Sequence, residues 1–140
     1  MIGHAIVSAH KRMVDKKWDK IYVLVDIHNT IFVPSYRSEE KYYWFDGAMK
    51  TLQYMTKCRQ ISLILWTSSY EKNINEYLKV FEENGIHFDY VNENPEVKND
   101  ELGCYDGKLY FNVGIDDKFG FNAQNGDWNI VYERITRMFV

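Results

Sequence analysis

Two kinds of apolar pattern alternate along the chain. The runs at residues 21–26 and 61–66 are short and almost wholly apolar. Runs of that length predict strands covered on both faces, as in the centre of a parallel sheet. Phe88 to Val91 predicts a short third strand, and Leu109 to Ile115 another. Between these runs the period becomes helical. Val7, Val14 and Trp18 fall on one face of a helix predicted over residues 5–18. Ala48, Leu52 and Met55 mark a second helix, with Asp46 placed to cap it. Ile74, Tyr77, Leu78 and Phe81 follow the i, i+3, i+4, i+7 rule of a third. Ser68 and Glu71 fit a capping box at its start, and Gly85 closes it. Asp127 is placed to cap a last helix whose Ile130, Val131, Ile135 and Met138 face the core.

Strands alternating with helices predict an α/β sandwich with a mostly parallel sheet. The length of 140 residues suits one domain, 1–140, with an N-terminal helix within residues 1–19 and a polar, aromatic flap at residues 31–45. Apolar residues make up 46% and charged residues 26%, a globular balance that excludes a disordered chain. The net charge of −3 is spread over mixed signs, and no basic stripe argues for nucleic-acid binding by charge alone. Two cysteines, Cys58 and Cys104, are too few for a disulfide framework and read as free thiols. No apolar run approaches a membrane span and no signal peptide is evident, so a cytoplasmic protein is the expectation.

The chemistry gathers where strands end. In parallel α/β sheets ligands bind beyond the carboxyl ends of the strands. Asp26 ends one predicted strand, Thr67 follows another, and Asp116 and Asp117 follow a third. A carboxylate such as Asp26 can attack phosphorus and form an aspartyl-phosphate. Asp26 and Asp116 together would suit Mg²⁺, a hard cation that takes a few carboxylates plus water and phosphate oxygens. Thr67 and the helix start behind it would take a phosphate. An ammonium from Lys108, which leads into the last strand, would offset the charge of the phosphoryl oxygens. Singly, each of these residues is as well explained by a turn, a cap or a solvated charge; their order and spacing make the case.

That order resembles the haloacid dehalogenase superfamily. Its first motif, a strand ending in Asp-x-Asp-x-Thr, corresponds to Asp26, His28 and Thr30; its second to Thr67; its third to Lys108; its fourth to Asp116 and Asp117. The resemblance spans roughly residues 20–120. It implies a Rossmann-like three-layer sandwich and a Mg²⁺-dependent phosphomonoester hydrolase acting through an aspartyl-phosphate. By that resemblance Asp26 is the nucleophile and a metal ligand, the main-chain carbonyl of His28 a second ligand and Asp116 a third. Thr67, Ser68 and Lys108 bind the phosphoryl group, with Lys98 the rival for the lysine role. Asp117 and Thr30 support the site.

The departure is His28, where the family has the aspartate that protonates the leaving group and later activates water. Histidine is able to do both. The other readings are a mark of lost or altered activity, or a ring that only packs or caps a turn. The alternative reading is therefore a catalytically impaired phosphate- and metal-binding or regulatory module. Neither the stretch from Asp26 to Thr67 nor that from Thr67 to Lys108 is long enough for a cap domain. A capless site implies large substrates, such as phosphorylated nucleic-acid ends or proteins, or a homo-oligomer in which a neighbour acts as lid. The flap offers Phe32, Tyr36, Tyr42, Tyr43, Trp44 and Phe45 with Arg37 and Lys41. Such rings and cations stack bases and touch phosphates, which would suit a nucleotide or nucleic-acid end, or they pack the flap onto the core or a partner subunit.

Overall fold

In the computed structural model the described residues are 1–34, 42–97 and 109–140. In chain order they form α1 (Ile2–Lys16), β1 (Ile21–Asp26), α2 (Ala48–Lys57), β2 (Ile61–Trp66), α3 (Glu71–Glu83), β3 (Tyr90–Val91), β4 (Val113–Ile115) and α4 (Asp127–Met138). Two single 3₁₀ turns, Asp117–Phe119 and Ala123–Asn125, lie between β4 and α4. The four strands make one sheet in the order β3-β2-β1-β4, and every pairing is parallel. This is the expected Rossmann-like α/β fold, a parallel sheet flanked by helices.

The sheet explains the apolar runs. β1 and β2 pair over their whole length, from Ile21 opposite Ile61 to Asp26 opposite Trp66. Alternate side chains point to opposite faces. Ile21, Val23 and Val25, with Leu63, Leu65, Val113 and Ile115, join a single core with buried residues of all four helices. Leu24 and Ile64 point to the other face and are buried as well. A strand buried on both sides has no polar position to spare until its end, which is where Asp26 sits.

Several sequence expectations shift. α1 buries Ile2, Ile6, Ala9 and Met13, whereas Val7 and Val14 are exposed. The stripe 2, 6, 9, 13 follows helical spacing, and Val7 stands about 100° round the helix from Ile6. Trp18 lies beyond the helix end, because Lys17 turns left-handed at φ 57°. β4 is three residues long rather than seven. The main chain of Asn112 donates to Tyr22 O at 2.8 Å, but its side-chain Oδ1 takes the Tyr22 amide at 2.7 Å, so a side chain replaces the next rung of the ladder. β3 is likewise only Tyr90–Val91. Gly47, not Asp46, precedes α2, and Asp46 accepts from Asn129 instead. Gly126 precedes α4, so Asp127 is its first residue and accepts from the Asn122 amide. In α4 the buried side chains are Trp128, Val131 and Ile135, and Ile130 is exposed.

The ends of the 31–45 segment belong to the core. Ile31, Phe32 and Phe45 are buried, and Phe32 stacks on Phe81 of α3 with centroids 5.6 Å apart and planes 7° from parallel. Trp44 meets both rings edge-on. For Phe32, Trp44 and Phe45 the packing role expected of the flap is the one found. Tyr36, Arg37 and Lys41 lie outside the described residues.

Candidate active site

β1 delivers Asp26 to the carboxyl edge of the sheet, and a tight loop keeps the following residues beside it. The amides of Thr30, Ile31 and Phe32 all point at Ile27 O, at 3.3, 2.9 and 3.2 Å. Asn29 takes the left-handed conformation at φ 59°, which asparagine tolerates better than most residues. Thr30 is fully buried; its hydroxyl donates to Asp26 Oδ2 at 3.3 Å, and its carbonyl accepts from Trp128 Nε1 at 2.7 Å. A core tryptophan on α4 thereby fixes the loop that carries the site.

β4 brings the other acids. It pairs with β1 through Ile115 opposite Val25, so Asp116 leaves the sheet beside Asp26. Asp116 is buried, and its Oδ1 accepts from the Lys118 amide at 2.9 Å, closing the 3₁₀ turn. Asp117 Oδ2 accepts from Asn29 Nδ2 at 3.2 Å, tying the β4 loop to the β1 loop. Oxygens of Asp26, Asp116 and Asp117 all lie within 4.8 Å of one another. At Gly114 in β4 a Cβ would stand 2.5 Å from the ring of Phe119, so the glycine lets that ring lie against the strand.

Crowding three carboxylates shifts their protonation. Burial first, then the Asp116 charge, raises the Asp26 carboxyl to about 6. Burial also raises Asp116. Burial would raise Asp117 too, but hydrogen bonds from Asp116 and Asn29 hold it below the usual carboxylate range. A group of like charges that resists ionising is what a hard cation with oxygen ligands relieves. The three carboxylates could together hold such a cation.

β2 supplies the third part. Asp26 pairs with Trp66 in the ladder, so Thr67 leaves the sheet next to Asp26. Asn92 clasps Thr67 from the β3 side: Thr67 N donates to Asn92 Oδ1 and Asn92 Nδ2 to Thr67 O, both at 2.8 Å. Thr67 Oγ1 accepts from the Ser69 amide at 3.2 Å and lies 2.9 Å from Ser69 Oγ. This short loop replaces the expected capping box. α3 begins at Glu71 with Tyr70 before it, and Ser68 is exposed. His28 reaches across from the β1 loop, with Nε2 3.4 Å from Ser69 Oγ and 3.5 Å from Tyr77 OH.

The structure thus brings Asp26, Asp116, Asp117 and Thr30 into one cluster, and links His28 to Thr67 through Ser69. Lys108, and its rival Lys98, lie outside the described residues, as does Cys104; Cys58 is buried and free. Four residues here carry contacts that the sequence reading passed over: Asn29, Ser69, Tyr77 and Asn92. The first two sit within motifs already noted, and Asn92 directly follows a strand. Tyr77 bears the helical apolar period, which hides a polar use of its hydroxyl.

No family model matches the sequence, and no curated protein matches it. Among solved structures, the chain is similar to one described as the conserved protein coded by locus from Bacteroides thetaiotaomicron, with a TM-score of 0.63 and 23% identity. The match covers 84% of this chain and 91% of that one. At that identity the likeness speaks for the fold.

Proposed function

We propose that the protein is a Mg²⁺-dependent phosphomonoester hydrolase of the haloacid dehalogenase type, acting through an aspartyl-phosphate on Asp26. The observation that carries this reading is the trio Asp26, Asp116 and Asp117, with oxygens within 4.8 Å at the carboxyl ends of two adjacent parallel strands. Mg²⁺ bound there would neutralise the carboxylates and draw charge from the phosphoryl oxygens. Thr67 and Ser69 offer hydroxyls, and the loop around them main-chain amides, to a phosphoryl group seated beside Asp26.

In the first step an Asp26 oxygen forms a bond to phosphorus as the bond to the leaving oxygen breaks, and His28 gives that oxygen a proton. In the second step water attacks phosphorus, the bond to Asp26 breaks, and the water proton passes to His28. Thr30, donating to Asp26 Oδ2, steadies the carboxylate for that attack. Phosphorylated nucleotides or nucleic-acid ends are the substrates suggested by a site without a cap.

The test is hydrolysis of p-nitrophenyl phosphate and a panel of phosphorylated nucleotides, with and without Mg²⁺, by the wild type and Asp26→Asn. Metal-dependent turnover that falls by at least about 10³-fold in the variant supports the reading. Silence across the whole panel moves the assignment to a phosphate- and metal-binding module, in which the contacts of His28 are structural.

A further inference from the structure

His28 is exposed and lies on the loop that follows β1. An acid/base group in that position works only if something holds it, because a misdirected proton donor loses most of its effect. Resting on the hydrolase reading above, we infer that Tyr77 is the positioning residue for His28, and that the aromatic packing at the ends of the 31–45 segment fixes Tyr77 for that task.

The imidazole is held in two ways. Tyr77 meets it edge-on, with centroids 5.6 Å apart and planes at 78°. The Tyr77 hydroxyl and Ser69 Oγ both face Nε2, at 3.5 and 3.4 Å. Ser69 Oγ is itself 2.9 Å from Thr67 Oγ1. Nε2 is therefore turned toward the hydroxyl pair beside Asp26, where the phosphoryl group would sit. Neither hydroxyl prescribes the tautomer; together they set the direction of the ring.

Tyr77 in turn has little freedom. Tyr42 meets it edge-on at 5.8 Å, and Phe32 lies 6.2 Å away. Phe32 stacks on Phe81, which is fully buried and stands one helical turn after Tyr77 on the same face of α3. A continuous stack of rings therefore runs from the core, through Tyr77, to the exposed His28. Aromatic pairs of this geometry contribute packing and orientation beyond area alone. The aromatic richness of residues 31–45 acquires a purpose at its described ends, which support the site from within.

The experiment compares wild type, Tyr77→Phe, Tyr77→Leu and Tyr42→Leu on two substrates. Phenyl phosphate has a leaving group that needs a proton; dinitrophenyl phosphate has one that does not. In Tyr77→Leu, kcat/KM should fall roughly tenfold for phenyl phosphate and stay within about twofold for dinitrophenyl phosphate. Tyr77→Phe and Tyr42→Leu should show smaller falls in the same selective sense. Independently, the His28 ring-proton resonances, assigned by His28→Gln, should move in Tyr77→Leu as the tyrosine ring current is lost. Equal falls on both substrates, or unmoved His28 resonances in an active wild type, overturn the positioning role alone. Silence of the wild type toward both aryl phosphates and toward the panel of phosphorylated nucleotides overturns the hydrolase reading and the catalytic claim made for Tyr77.

Discussion

The two ends of the central strands treat charge in opposite ways. At the amino end charges are matched. Lys20 bridges Glu96, which also accepts from Tyr90 at 2.6 Å and Tyr22 at 3.4 Å. Burial alone would push the Glu96 carboxyl up, yet its bonds from Lys20 and the tyrosines hold it below the usual range. Asp89 accepts from Ser62 Oγ at 2.7 Å and from Leu63 N at 3.1 Å. At the carboxyl end like charges are gathered, and Asp26 is raised to about 6. Among the described residues, one end pairs its acids with a lysine and hydroxyls, and the other gathers three acids together. In a parallel sheet the second end is where ligands are expected.

The largest break of this contrast is Asp116→Asn. It should weaken Mg²⁺ binding, read by calorimetry, by roughly 100-fold or more, since a ligand matters at least as much as the groups that orient it. A similar loss from Glu96→Gln would erase the distinction between the ends.

Protons should compete with the cation at one end only. Because Asp26 is raised to about 6, Mg²⁺ affinity should fall as pH drops through that value. Stability of the metal-free protein should move the other way. The folded state binds the Asp26 proton more tightly than the unfolded chain does, so the folded state gains as pH falls from above 6 toward the ordinary aspartate value. Well above that window Asp26→Asn should stabilise the metal-free protein by about 1–2 kcal/mol, allowing for its partial exposure. Thermal melts in chelator check this; a destabilised Asp26→Asn would contradict it.

Asn92→Ala removes both bonds that clasp the Thr67 backbone. A loss of about 1–3 kcal/mol is expected, since partly buried peptide groups lose their partners. Turnover should fall with it because the Thr67 loop is released. The smallest effect belongs to Glu96→Gln. It breaks a partly exposed pair, so roughly 1 kcal/mol or less should be lost in urea melts, with turnover unchanged.

What the sequence shows of this molecule follows from how local each feature is. The strands β1 and β2 are legible because burial on both faces removes polar residues from a whole run. β4 is not, because the side chain of Asn112, a single residue, ends its ladder within an apolar stretch. The face of α1 is misread because Val7 and Val14 share a period with each other but not with Ile2, Ile6 and Met13. Asp26, Asp116 and Thr67 are legible because each follows an apolar strand at its carboxyl end. Asn92 and Tyr77 are not, since their contacts join residues distant in the chain through tertiary packing.

The central claim is that Asp26 itself takes the phosphoryl group. It is tested most directly by acid-quenching the wild type during turnover of an aryl phosphate with Mg²⁺ and mapping phosphorylated peptides. An acid-stable, hydroxylamine-sensitive phosphoryl group is expected on Asp26, absent without Mg²⁺ and absent in Asp26→Asn. An acid-labile phosphoryl group found on His28 in a parallel alkaline quench, or full turnover by Asp26→Asn, would contradict it.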